Sequence, residues 1–103
     1  MARFTSRKNI VISHDGFMVE IVGPRGGLLY SEGHRTIEVA SEFWGAERGL
    51  TIFAHSVRSW TSAEGVTPVE QPDVERIVRN IVAALSFDGY SAEVNWAVPG
   101  EAG

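Results

Sequence analysis

Val74, Ile77, Val78, Ile81, Val82 and Leu85 recur at i, i+3, i+4, i+7, i+8 and i+11, the spacing that lines one side of an α-helix with apolar side chains. Glu75, Arg76, Arg79 and Asn80 fall on the opposite side, so this helix has one wet face and one that another element must cover. No other stretch of the chain has that period, and the remaining apolar runs are short and β-type, so the covering element is a sheet. Pro72 suits the first helical position, where its missing N–H is not needed, and Asp73 sets negative charge beside the positive end of the helix dipole. Gly89 can take the left-handed conformation that closes a helix. The spacing predicts a helix over 72–87.

The sheet is read from what precedes and follows. Asn9 to Ser13 and Phe17 to Val22 are β-type runs separated by His14, Asp15 and Gly16, and an Asp-Gly pair is a strong hairpin signal. In the second run Phe17, Val19 and Ile21 share the face best suited to a core. Gly23 to Gly27 interrupts all periodicity and reads as a loop; it matches neither phosphate-binding glycine pattern, and no helix follows it. Leu28 to Tyr30 is a brief strand, and Arg35 to Phe43 alternates, with Ile37 and Val39 on one face and Thr36, Glu38, Ala40 and Glu42 on the other. Leu50 to Val57 is apolar or aromatic on both faces, which predicts a central strand. Ser59 to Gln71 reads as a long polar loop, and a final strand is expected over 90–98 with Ala92, Val94 and Trp96 on one face.

The expected fold is α+β, a mostly antiparallel sheet of about five to six strands with the helix across the face carrying Val94 and Trp96. Burying six aliphatic side chains at about 1.5–3 kcal/mol each makes that contact the largest stabilising contribution to expect, before conformational entropy opposes it. A chain of 103 residues is one domain, with residues 1–8 and 99–103 expected to be loosely ordered.

Composition narrows the chemistry. The absence of cysteine removes disulfides and thiolate chemistry, and the start of the chain has positive charge but no apolar run behind it, so a cytoplasmic location is expected. No apolar stretch is long enough to span a membrane. His14, His34 and His55 have neither the helical spacing nor the companions of a metal site, and His55 and Ser56, adjacent on a strand, point to opposite faces and do not pair as base and nucleophile. No cofactor or metal is expected, and no catalytic residue is assigned.

Thirteen acidic against nine basic residues give a net charge of −4, which disfavours nucleic acid or an anionic membrane as partner and suits a basic protein. Glu38 and Glu42 lie on the wet face of one expected strand, Glu32 just before it, and Glu64 and Glu70 in the long loop, so an acidic patch is possible. Trp44 and Trp60 are candidate anchors at a protein interface; either could instead fold back to cap the core, and for Trp60 that is the favoured expectation. The partner-binding candidates are thus Glu32, Glu38, Glu42, Trp44, Trp60 and Glu64.

The stretch Leu50-Thr-Ile-Phe-Ala-His-Ser-Val-Arg-Ser-Trp60, the acidic loop with Pro68, the helical Glu75-Arg-Ile-Val-Arg-Asn-Ile-Val-Ala-Ala-Leu85 and the strand beginning at Gly89 together resemble a family of small bacterial immunity proteins. These belong to polymorphic toxin and contact-dependent growth inhibition systems, in the class numbered seventy-four. The likeness covers about the C-terminal half of the chain, with a looser echo from Gly33 to Glu42. It implies a protein that performs no catalysis and neutralises a cognate toxin domain by occluding it. The classes that compete with it are a small enzyme or ligand-binding domain, and a structural or oligomeric module of a larger assembly.

Overall fold

The computed structural model describes residues 3–22, 27–44 and 48–96. In chain order the elements are β1 (Phe4–Arg7), β2 (Ile10–Ser13), β3 (Phe17–Val22), β4 (Gly27–Glu32), β5 (Arg35–Val39), β6 (Ser41–Phe43), β7 (Gly49–Phe53), a 3-10 turn (Ala54–Ser56), β8 (Ser59–Ser62), β9 (Gly65–Pro68), α1 (Gln71–Phe87) and β10 (Ser91–Asn95). The class is α+β, as expected, with α1 packed against β10 and against β2 and β3. The strands are more numerous than expected and form two sheets. One is seven-stranded and antiparallel throughout, in the order β1-β2-β3-β4-β5-β8-β9; the other is β10-β7-β6, with β10 parallel to β7.

The alternation seen in the sequence explains the inner face of the large sheet. Val11, Val19, Tyr30 and Ile37 stand in register across β2 to β5, and Ile21, Leu28 and Val39 form the next row. All seven are buried. Above them lie Val74, Ile77, Val78, Ile81, Ala84 and Leu85 of α1, while Leu50 and Ile52 of β7 close the core from the second sheet. Trp60 joins this core, its ring 6.3 Å from that of Tyr30.

Gly89 ends α1 as its position predicts. Its φ of +89° lets the Tyr90 N–H reach the Leu85 carbonyl and the Gly89 N–H reach that of Ser86. A Cβ here would meet nothing closer than the Arg48 side chain at 3.7 Å, so the cost of a side chain is conformational rather than steric. Gly89→Ala is expected to cost about 1–2 kcal/mol, read as a lower urea midpoint with an unchanged slope.

Five expectations are corrected. Residues 4–7 are not loose: β1 pairs Thr5 with Ile12, and Phe4 packs on Phe17 and Phe87 with centroids 6.0 and 5.4 Å away. The stretch read as a long loop after Ser59 is the β8–β9 hairpin, whose strands escaped notice because β9 is exposed on both faces and so carries no apolar alternation. The single strand expected over 35–43 breaks at Ala40, where the chain leaves one sheet for the other. There the Ala40 N–H donates to Ser56 Oγ at 2.8 Å and the Ala40 carbonyl accepts from the Phe53 N–H at 2.9 Å. The same Ser56 hydroxyl donates to the Phe53 carbonyl and helps end β7 at Phe53, short of the expected Val57. Finally, Ala92 and Val94 are half-buried as expected, but Trp96 lies past the end of β10 and is 52% exposed. The Gly23–Gly26 part of the glycine-rich loop and residues 97–103, including the tail expected to be loose, lie outside the described residues. Among those described, no helix is long and apolar enough to cross a membrane.

Candidate binding surface

Polar groups converge where α1 crosses the large sheet. Tyr30 and Glu32, at i and i+2 on β4, point to one face, and Arg76 and Asn80, at i and i+4 on α1, look down on them. The Tyr30 hydroxyl donates to Glu32 Oε2 at 2.5 Å and accepts from Asn80 Nδ2 at 2.9 Å; Arg76 Nη1 donates to Glu32 Oε2 at 2.5 Å. Arg35 adds a second cation 3.7 Å from Glu32 and lays its guanidinium over the Trp60 ring, 3.8 Å from the centroid. Burial and the adjacent Glu32 carboxylate push the Tyr30 phenol well above its ordinary pKa. Burial would raise Glu32 too, but hydrogen bonds from Arg76 and Tyr30 and the charges of Arg76 and Arg35 outweigh it and hold the carboxyl below its usual range. Tyr30 therefore stays protonated and Glu32 ionised through neutral pH. A pair with such widely separated pKa values exchanges no proton near pH 7; it fastens helix to sheet.

The six candidate residues separate accordingly. Glu32, with 19% of its side chain exposed, is engaged by Arg76 and Arg35, and Trp60 is buried beneath Arg35, so both serve the interior. Glu64 sits in the β8–β9 turn, accepts from Ser62 Oγ at 3.0 Å and lies 3.6 Å from His34. Glu38 is exposed on β5 and Glu42 on β6, hence on different sheets. Trp44 is 44% exposed and rests on Gly49, where a Cβ would fall 2.6 Å from its ring. The acids envisaged from the sequence as one patch thus lie on four elements, Glu32 on β4, Glu38 on β5, Glu42 on β6 and Glu64 in the β8–β9 turn. Tyr30, Arg76 and Asn80 were not singled out by sequence reasoning; the matching i, i+2 and i, i+4 spacings of polar residues beside apolar stripes were the available signal.

The remaining charges are unevenly matched. Arg3 pairs with Asp15, Arg48 with Asp88 at 3.7 Å and Arg79 with Glu75 at 3.7 Å, while Asp73 and Glu32 share Arg76. Among the described residues, the carboxylates of Glu20, Glu38, Glu42, Glu70 and Glu93 have no partner, against three such cations, Arg7, Lys8 and Arg58. The surplus of negative charge is therefore carried by groups facing water. Open clefts also mark the surface: one of about 650 Å3 between the 3-10 turn, the start of α1 and Trp96, lined in part by His55 and Arg58, and one of about 490 Å3 beside Leu29 and Glu38. No described group of three or more His, Asp or Glu could hold a metal ion.

No protein-family model matches the chain, and neither a curated protein nor a solved structure matches it.

Proposed function

We propose that this chain is an immunity protein that binds a cognate bacterial toxin domain and neutralises it by occlusion, without catalysis of its own, in the cytoplasm of the producing cell. The observation that carries the reading is the set of solvent-facing carboxylates without internal partners, Glu20, Glu38, Glu42, Glu70 and Glu93. Such groups add little to folding and are free to steer and hold a basic protein. The resemblance of the stretch from Leu50 to Gly89 to immunity proteins points the same way. Of the original candidates, Glu38, Glu42, Trp44 and Glu64 remain accessible for contact.

The test is direct. The toxin domain encoded by the reading frame immediately upstream should co-purify with this chain, and cells expressing that domain should survive when this chain is present. Binding weaker than micromolar, about 8 kcal/mol, would dispose of the reading. The association rate should fall by roughly tenfold or more between low and high salt, as expected of opposite charges drawn together through water. A second reading, a small-ligand-binding domain, draws on the cleft that His55, Arg58 and Trp96 line. It would gain only if anionic small molecules bound there while the toxin did not bind.

A further inference from the structure

We infer that the uncovered face of the seven-stranded sheet, centred on Leu29 between Glu20 and Glu38, receives the toxin domain by way of a partner segment that presents a lysine or arginine among apolar side chains. This rests on the immunity reading above and names the surface that performs it.

Strand register places the residues. On the face turned away from α1, Arg7, Ile10, Glu20, Leu29 and Glu38 form one row across β1 to β5. Thr5, Ile12, Met18, Ser31, Thr36, Thr61 and Val66 form the next, across all seven strands. A solvated antiparallel face is normally polar, because alternation sends the apolar set to the core. Here the inner rows already supply the core, and Ile10, Ile12, Met18, Leu29 and Val22 nonetheless collect over β2, β3 and β4. Ile12 is 38% and Val22 51% exposed. An apolar patch of this kind ringed by charge is the usual mark of an interaction surface.

The charges say what should cover it. Glu20 and Glu38 both stand in register with Leu29, on the strands to either side, so their backbones are about 10 Å apart at ordinary strand spacing. Neither carboxylate has a partner among the described residues, and the nearest cation in that row, Arg7, lies two strands from Glu20 on the side away from Glu38. One cationic side chain laid over Leu29 would sit between both acids, with its aliphatic stem on the apolar surface. The groove of about 490 Å3 beside it, lined by Val22, Leu29, Glu38, Ala40 and Ser56, has room for such a chain. Strand addition at the far edge of the same sheet is disfavoured, because Pro68 in β9 has no N–H to offer.

Binding of the upstream-encoded toxin domain to four forms of the full chain tests this, with thermal midpoints confirming that each is folded. Glu20→Gln with Glu38→Gln should slow association by roughly fivefold or more and flatten its salt dependence. Ile12→Ser with Leu29→Ser should weaken the complex by roughly tenfold or more, chiefly through faster dissociation. Glu75→Gln with Arg79→Ala, an exposed ion pair on α1 away from this face, should change affinity by less than about threefold. Should the serine pair unfold the chain, the glutamine pair alone decides. If the wild type binds and protects but the glutamine pair behaves like it, or the Glu75 and Arg79 substitutions are the ones that abolish binding, the docking face is wrong and the immunity reading survives. If the wild type itself neither binds nor protects, the immunity reading is what has failed.

Discussion

Ile81→Ala is expected to lower stability by about 2–5 kcal/mol and to drop the thermal midpoint by roughly 10–30 °C, the largest loss from any conservative truncation on the helix. Ile81 has no exposed surface and lies midway along α1, in the layer between the helix and both sheets. The wall opposite is a hydrogen-bonded sheet whose rows of Val11, Val19, Tyr30 and Ile37 are fixed in register, so the surroundings cannot close over the missing atoms. A domain of this size has about 5–15 kcal/mol in all, so the variant approaches the limit of folding. Two neighbours calibrate the effect. Val82→Ala, at a half-buried position, should cost less, and Arg79→Ala should change stability by no more than about 0.5 kcal/mol, because its ion pair with Glu75 is exposed. Calorimetry of the three variants is sufficient. An Ile81→Ala midpoint close to that of Arg79→Ala would mean that the helix is not seated as described.

That contrast also shows which parts of the fold local sequence can announce. The helix was legible because six apolar residues repeat with its own period, and β2, β3 and the inner side of β5 because alternate residues are buried. The β8–β9 hairpin carries no such mark. Apart from the buried Trp60, β8 is polar, and the edge strand β9 is exposed throughout, so neither shows an alternating apolar set. The break at Ala40 was hidden too, since Glu38 and Glu42 keep their alternation across it while the backbone changes sheets. The parallel pairing of Ala92 with Leu50 joins segments separated by a hairpin and a helix, and nothing local encodes it. Site residues divide in the same way. Exposure could be read for Glu38 and Glu42, which alternate with apolar neighbours. The capture of Glu32 could not, because Arg76 is 44 positions away and meets it only through the seating of α1 on the sheet. Trp60 was ambiguous for the same reason: its burial depends on Tyr30 and Arg35, which belong to other strands.

Glu32→Ala is expected to cost about 1–3 kcal/mol, more than its partial exposure suggests, because the loss is shared by the groups it serves. The buried Tyr30 hydroxyl would lose its acceptor while still receiving the Asn80 amide, and Arg76 would keep only Asp73, at 3.5 Å. Tyr30→Phe in the same background should then cost less than it does alone, the difference measuring how strongly the hydroxyl and carboxylate are coupled. Glu32→Gln separates charge from hydrogen bonding, since its amide oxygen can still accept from Tyr30 while its charge is gone. The sign of the pH effect follows from Glu32 having a lower pKa folded than unfolded. Between those two values the unfolded chain binds more protons, so stability rises with pH there. The contribution is complete above the ordinary glutamate pKa and disappears as pH falls through the lower, folded-state value. Wild type should therefore lose stability more steeply than Glu32→Gln on that acid limb, and the two curves should run parallel at neutral pH, where Glu32 stays ionised and Tyr30 protonated. Parallel curves on the acid side as well would mean that Arg76 and Tyr30 do not hold the carboxylate, and that the helix is kept on the sheet by its apolar face alone.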